Sequence, residues 1–137
     1  MKPLFPALLM ALAGLSSGCA SLVSSSDRQA MQKAANWRNV MTERAGSFAA
    51  IAVGNSNYPV VMPGDMLIVR AKPFSEVGEN ELIAFIPYGK PDIMVTHFTE
   101  VRRWDGWITK GVNNPVNDSN RVNEGNYVGT VEVIHVK

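Results

Sequence analysis

The sequence predicts a mainly β domain that is preceded by one amphipathic helix. From residue 47 onward, short β-prone segments alternate with turn residues, whereas residues 27–44 repeat apolar side chains at helical spacing. The chain has 137 residues, 46% of them apolar, which suffices for one small domain with an N-terminal extension. We therefore expect a targeting segment over residues 1–20, a tether and helix over residues 21–46, and a β domain over residues 47–137.

The N-terminal segment is typical of an export signal. Lys2 is followed by an uncharged, mostly apolar stretch over residues 3–15, and small residues come after it. This stretch is shorter than the roughly 17–25 residues that span a bilayer comfortably, so a removable signal is favoured over a permanent transmembrane helix. We expect the domain to be exported to the periplasmic face of a bacterial membrane.

The single cysteine, Cys19, has two interpretations. It follows Ser17-Gly18, which resembles the end of a bacterial lipobox, where the cysteine is lipidated and becomes the first residue after cleavage. The other interpretation is ordinary cleavage after Ala20, because Gly18 and Ala20 fit the small-x-small rule. We favour lipidation, because an isolated cysteine at this place is otherwise hard to explain.

Residues 27–44 are predicted to form the helix. Ser26 with Gln29 fits a capping box, and Gly46 is the expected stop. We expect the apolar stripe to pack on the β domain, and the alternative is a role at a membrane surface or a partner. The stripe consists of Ala30, Ala34, Trp37 and Met41.

Six strands are predicted after the helix. Asp105-Gly106 is a signal for a two-residue hairpin turn, in which both central residues need positive φ. The strand that carries His97 should therefore pair with the strand that leads into Thr109-Lys110-Gly111. Trp104 and Trp107 flank this turn and are expected to pack across the strands rather than stack on a substrate. The predicted strands are residues 48–53, 66–70, 82–86, 93–103, 107–110 and 127–136.

Composition argues against several classes of partner. The 13 basic and 12 acidic residues nearly cancel, so nucleic acid is not an expected partner. The two histidines are far apart in the sequence and no cysteine lies in the β part, so neither a metal site nor a cofactor is expected.

Three β-domain residues form a candidate hydrolytic set: Ser56, His97 and Asp118. A serine hydroxyl is a weak nucleophile at neutral pH, so it needs an adjacent base, and the base needs a group that fixes its tautomer. His97 is the only credible imidazole base, because His135 lies in the last strand outside any motif. Taken singly, each residue also has a structural interpretation, as a turn cap, a half-buried strand residue and an Asx-turn residue respectively.

The segments around these residues resemble the type I signal peptidase family. Gly54-Asn55-Ser56-Asn57-Tyr58-Pro59, followed by Gly64-Asp65, is similar to the family's Ser-x-Ser-Met-x-Pro motif and its Gly-Asp turn. Residues 93–98 resemble the histidine strand of the endoplasmic-reticulum and archaeal branch, residues 109–118 its Thr-Lys-Gly loop, and residues 124–129 its closing strand. The resemblance covers about residues 50–136 and implies a small β-sheet or partly open barrel of the type shared with LexA-type peptidases.

The resemblance also implies roles for individual residues. Ser56 would be the nucleophile, His97 the base, and Asp118 the acid that orients His97. The backbone at Ser56, Gly54 and Asn57 would contact the substrate or its oxyanion. The implied substrate is an extended, exported polypeptide with small side chains beside the scissile bond, and the implied mechanism uses neither cofactor nor metal.

Departures from the family pattern leave alternatives open. Gly54 replaces a serine and Asn57 a methionine, which is compatible with a catalytically inactive exported binding or assembly module on the same fold. A specialised processing peptidase for a pilin or for a phage or plasmid component is another alternative. Lys110 would serve as base only in the bacterial, lysine-dependent mechanism, but it lies in the loop motif rather than at the base position. LexA-type repressor peptidases use a lysine base and a DNA-binding domain, so the export signal and His97 argue against them.

Overall fold

The fold comes from a computed structural model, which describes residues 23–136. The predicted export signal and Cys19 lie outside the described residues. Within them, the chain is mainly β with one N-terminal helix, which confirms the predicted fold class. The elements are helix α1 (Ser25–Glu43), β1 (Ser47–Ile51), β2 (Met66–Arg70), a short 3-10 helix (Phe74–Glu76), β3 (Leu82–Phe85), β4 (Val95–Arg103), β5 (Gly106–Lys110) and β6 (Tyr127–Ile134).

The six strands form one open antiparallel sheet in the order β1-β2-β6-β3-β4-β5. Residues 23–136 therefore contain no closed barrel, and β1 and β5 are the two edge strands. β4 lies between β3 and β5, and Ile83 of β3 is opposite His97 of β4. The predicted pairing between the His97 strand and the strand that leads into Thr109 is confirmed.

Helix α1 begins two residues before the predicted start, and its cap differs from the prediction. Ser24 is the N-cap, with its Oγ accepting a hydrogen bond from the Asp27 N–H at 3.0 Å, so the capping box at Ser26 and Gln29 is wrong. Three consecutive serines offered equivalent caps, and Ser24 is the one that keeps an extended backbone. No helix within residues 23–136 has the length and apolar character to cross a bilayer.

The apolar stripe of α1 packs on the sheet, as predicted. Ala30, Ala34 and Met41 are buried, and small alanines allow the helix to approach the strands closely. Trp37 is partly exposed and stacks on Phe48 of β1 with ring centroids 4.6 Å apart. The helix therefore covers the β1 end of one sheet face.

Two further apolar clusters support strands β3 and β5 and the loop that follows β1. Successive residues of a strand point to opposite faces, so Ile83 and Phe85 pack on the face away from Ala84. Trp107 and Tyr127 join this second cluster. A third cluster lies beneath the loop that follows β1, and it consists of Ala52, Val61, Leu67 and Leu82.

The β4–β5 hairpin turns at Trp104-Asp105, one residue earlier than predicted. Gly106 pairs with Arg103 and has φ 131°, and a Cβ there would clash with the Val122 carbonyl oxygen. The glycine is thus required by close backbone approach rather than by a turn with positive φ at both central residues. Trp107 is buried, but Trp104 is 96% exposed, so its expected cross-strand packing is wrong.

Candidate active site

Ser56 lies in a loop that is closed at its base. The N–H of Ala52 donates to the Asp65 carbonyl at 2.9 Å, and the N–H of Gly64 donates to the Ala52 carbonyl at 2.8 Å. Gly54, two residues before Ser56, has φ 77°, in the left-handed region that glycine adopts most readily. A serine at this position would be strained, which gives a backbone reason for the departure from the family pattern.

His97 lies beside Ser56 on strand β4, which is adjacent to the edge strand β5. Its Nε2 is 3.2 Å from Ser56 Oγ, which is within hydrogen-bonding distance. The imidazole is buried, and its ring meets the Phe85 ring edge-on at a centroid distance of 6.2 Å. Because β4 pairs on both sides, the base is held by a rigid strand.

Asp118 lies on the other side of the same imidazole. His97 Nδ1 and Asp118 Oδ2 are 2.6 Å apart, and the Thr109 hydroxyl donates to the same oxygen at 2.7 Å. The N–H of Asp118 donates to the Thr109 carbonyl at 2.8 Å, so the acid is fixed through both backbone and side chain. A proton on Nδ1 directed at Asp118 leaves Nε2 as an acceptor for the serine proton.

The loop between Lys110 and Asp118 also contacts the nucleophile loop. The N–H of Asn113 donates to the Ser56 carbonyl at 2.7 Å, and its side-chain amide donates to the Asn55 carbonyl at 3.1 Å. Gly111 passes close to both residues, because a Cβ on it would lie 2.6 Å from the carbonyl oxygen of Ser56 and 3.0 Å from His97 Nε2. One loop thus carries the acid and holds the serine.

The side chain of Asn57 is buried beneath the nucleophile. Its Nδ2 donates to the Thr96 carbonyl at 2.5 Å, and its Oδ1 accepts from the Val112 N–H at 3.4 Å. The sequence indicated only a backbone role for this residue. The sequence did not reveal its side-chain role or the roles of Thr109 and Asn113. A signal existed for the latter two, because both lie in the loop motif. The pairing of β5 with β4 also brings Thr109 close to His97.

Four consecutive backbone N–H groups at the serine have no acceptor in the described part of the chain. Among residues 23–136, the N–H groups of Gly54, Asn55, Ser56 and Asn57 donate to no protein acceptor. A free N–H beside an attacking hydroxyl is the kind of donor that stabilises a developing oxyanion. Since Gly54 has no side chain, any such stabilisation from this loop comes from the backbone.

A cleft of about 510 Å³ runs from the Ser–His pair along edge strand β1. Ala50, Ala52 and residues 93–96 are among its lining residues. Trp37 and Phe48 line the part furthest along β1 from Ser56. The cleft is mostly apolar, and it adjoins a strand edge that has no partner within the described sheet.

Within residues 23–136, the side chains of the other candidate groups make no hydrogen bond to Ser56 or His97. Within the described part of the chain, the Lys110 ammonium forms no hydrogen bond or ion pair, and the hydroxyl of Ser56 bonds to His97 instead. His135 pairs with Asp65 at 2.7 Å. Residues 23–136 contain no group of three or more His, Cys, Asp or Glu side chains suited to a metal ion.

A scan against protein-family models gave no match, and a search of curated proteins gave none either. The resemblance to type I signal peptidases therefore stays a prediction from the motifs.

Proposed function

We propose that this protein is a serine peptidase of the Ser-His-Asp type that cleaves exported polypeptides at the outer face of a bacterial membrane. The observation that supports this proposal is the continuous chain of contacts from Ser56 Oγ through the His97 ring to Asp118, at 3.2 and 2.6 Å. Each of these residues has a common structural use on its own, but a serine, an imidazole and a carboxylate in this order form the arrangement that activates a hydroxyl.

In the first step, Ser56 Oγ attacks the peptide carbonyl carbon and His97 Nε2 accepts the hydroxyl proton. Asp118 stabilises the imidazolium that forms, and the N–H of Ser56, which donates to no acceptor within residues 23–136, can donate to the oxyanion. Collapse of the tetrahedral intermediate breaks the C–N bond, and the leaving amine takes the proton from Nε2. The product of this half-reaction is an ester on Ser56.

In the second step, water replaces the amine. His97 Nε2 accepts a proton from water, the resulting hydroxide attacks the ester carbonyl, and Ser56 Oγ leaves and regains a proton from Nε2. The new C-terminal carboxylate departs, and the starting protonation state of the enzyme is restored. The sequence consumes one water per peptide bond and needs no cofactor.

The cleft supports an extended peptide as the substrate. β1 is an edge strand, and an extended chain can pair with such an edge through backbone hydrogen bonds while its side chains enter apolar pockets. The family resemblance adds a preference for small side chains beside the scissile bond, and the predicted export signal supports a location where exported chains pass.

A serine-directed probe tests the proposal. An alkyl fluorophosphonate should label the wild-type protein to one equivalent at Ser56, and Ser56→Ala and His97→Ala should abolish labelling without unfolding the domain. Ser75→Ala, which changes an exposed serine in the short 3-10 helix, is the matched control and should label normally. A wild-type protein that stays unlabelled, or label on Ser56→Ala, would contradict the proposal.

An exported binding module without turnover is the second candidate. The absence of a side-chain donor at Gly54 favours it, because loss of one oxyanion donor elsewhere lowers turnover about 10²–10³-fold. This candidate expects an alanine-containing peptide to bind in the cleft and to be recovered intact. Mass spectrometry of the peptide after incubation separates the two candidates.

A further inference from the structure

We propose that Asn57 is a positioning residue that fixes the distance between the serine hydroxyl and the imidazole. This inference rests on the proposed peptidase function and adds a residue to its machinery. Asn57 does not contact the reacting atoms through its side chain. It acts through the two segments that carry the nucleophile and the base.

The contacts of Asn57 connect the three parts of the site. It directly follows Ser56 in the chain, and its Nδ2 donates to the carbonyl of Thr96, which directly precedes His97. Its Oδ1 accepts from the N–H of Val112, in the loop that ends at the acid. A single buried amide therefore ties the nucleophile loop to the base strand and to the acid loop at once.

The chemistry of an amide is required for this bridge. Thr96 offers a carbonyl acceptor and Val112 an N–H donor, so the bridging group must donate on one side and accept on the other. An apolar side chain of similar size would fill the volume but leave both backbone groups without this partner. Within residues 23–136, the Ser–His contact would then be the one side-chain hydrogen bond left between the loop that carries Ser56 and strand β4.

The distance that Asn57 controls is one to which the reaction is sensitive. Ser56 Oγ and His97 Nε2 are 3.2 Å apart, near the long end of a hydrogen bond to a hydroxyl. A displacement of about 1 Å at a reacting pair can lower the rate by about 100-fold. We therefore expect the loss of the bridge to lower the reactivity of Ser56 far more than it changes the binding of a small probe.

The test uses an ethyl fluorophosphonate on the whole protein and compares Asn57→Leu and Asn57→Asp with Asn117→Ala. Asn57→Leu removes both contacts and should lower the labelling rate about 100-fold. Asn57→Asp keeps an acceptor for Val112 but turns a buried carboxylate oxygen toward the Thr96 carbonyl, so it should lower the rate at least as much as Asn57→Leu. Asn117 is an exposed amide in the acid loop that makes none of the side-chain hydrogen bonds found within residues 23–136, and its variant should label at the wild-type rate.

The pH profile of labelling distinguishes positioning from general destabilisation. If Asn57 positions the serine, the plateau rate falls while the pH at half-maximal rate is unchanged, and circular dichroism shows the same folded fraction as the wild type. A wild-type protein that does not label refutes the proposed function itself. If the wild type labels and the folded Asn57 variants label within about 3-fold of its rate, this inference alone is refuted. Failure of both Asn57 variants to fold also refutes it.

Discussion

Replacing Gly111 by alanine should disable the site while leaving the fold intact. Gly111 is not in the left-handed region, so alanine adds no backbone strain and acts through its methyl group alone. That methyl carbon would lie 2.6 Å from the Ser56 carbonyl oxygen, 2.7 Å from Asn114 Nδ2 and 3.0 Å from His97 Nε2. The contact with the Ser56 oxygen must lengthen from 2.6 Å to about 3.4 Å before it becomes an ordinary one.

This displacement falls on the nucleophile. The Ser56 carbonyl is held by the Asn113 N–H at 2.7 Å, in the same loop as the new methyl group, so the loop and the serine must move apart. A shift of this size corresponds to a loss of about 100-fold in rate. The cost in unfolding free energy should be about 1–3 kcal/mol, as for other overpacked sites.

The assay is the rate of fluorophosphonate labelling, measured beside the thermal unfolding of the same sample. Gly78→Ala is the matched control, because its Cβ would meet only Glu81 Oε1 at 3.6 Å and its backbone is also outside the left-handed region. We expect normal labelling for Gly78→Ala and a loss of about 100-fold for Gly111→Ala. A Gly111→Ala protein that labels within about 3-fold of the wild type would show that the loop does not constrain Ser56.

Two further predictions concern the carboxylates. Asp118→Asn should lower labelling by up to about 10⁴-fold, because an amide can donate to Nδ1 and turn the N–H of His97 toward Ser56, and a loss below about 10-fold would argue against an orienting role. The pKa of Asp65 lies below its ordinary value of 3.8, chiefly because the Met62 N–H donates to it, with His135 adding to the effect. Its ionised form therefore stabilises the fold above about pH 3.8, and that contribution is lost as the pH falls through the lowered value. Between pH 6 and about 2, the midpoint temperature of thermal unfolding should fall more steeply for the wild type than for Asp65→Asn. Parallel curves for the two proteins would count against this linkage.

Much of the fold follows from local signals in the sequence. The spacing of Ala30, Ala34 and Met41 predicts a helix and its buried side, and both are observed. Turn residues and β-prone runs predict all six strands, with ends that differ by two residues or fewer. One error lies in the serine run before α1, where several adjacent serines could each serve as the N-cap. Another lies at Gly106, where a contact with Val122, distant in the sequence, determines which residue must be glycine.

The candidate site is harder to derive because it depends on contacts between distant segments. The motifs single out Ser56, His97 and Asp118, but only the folded chain shows that the strand of His97 meets the loops of Ser56 and Asp118. The bridge made by Asn57 could not be foreseen, since its partners are backbone groups 39 and 55 residues away. Backbone donors and acceptors carry no signature in the sequence, so the residues that bind them are recognised only once the chain is folded.

The position of Trp37 has a practical consequence for anyone who shortens this protein. The cleft is completed by a residue of α1, so the β sheet by itself does not form the whole of it. A fragment that starts at Ser47 would keep Ser56, His97 and Asp118, yet it would expose Phe48 and open the cleft at the end away from Ser56. Peptide binding measured on such a fragment would describe a different cleft from the one that includes α1.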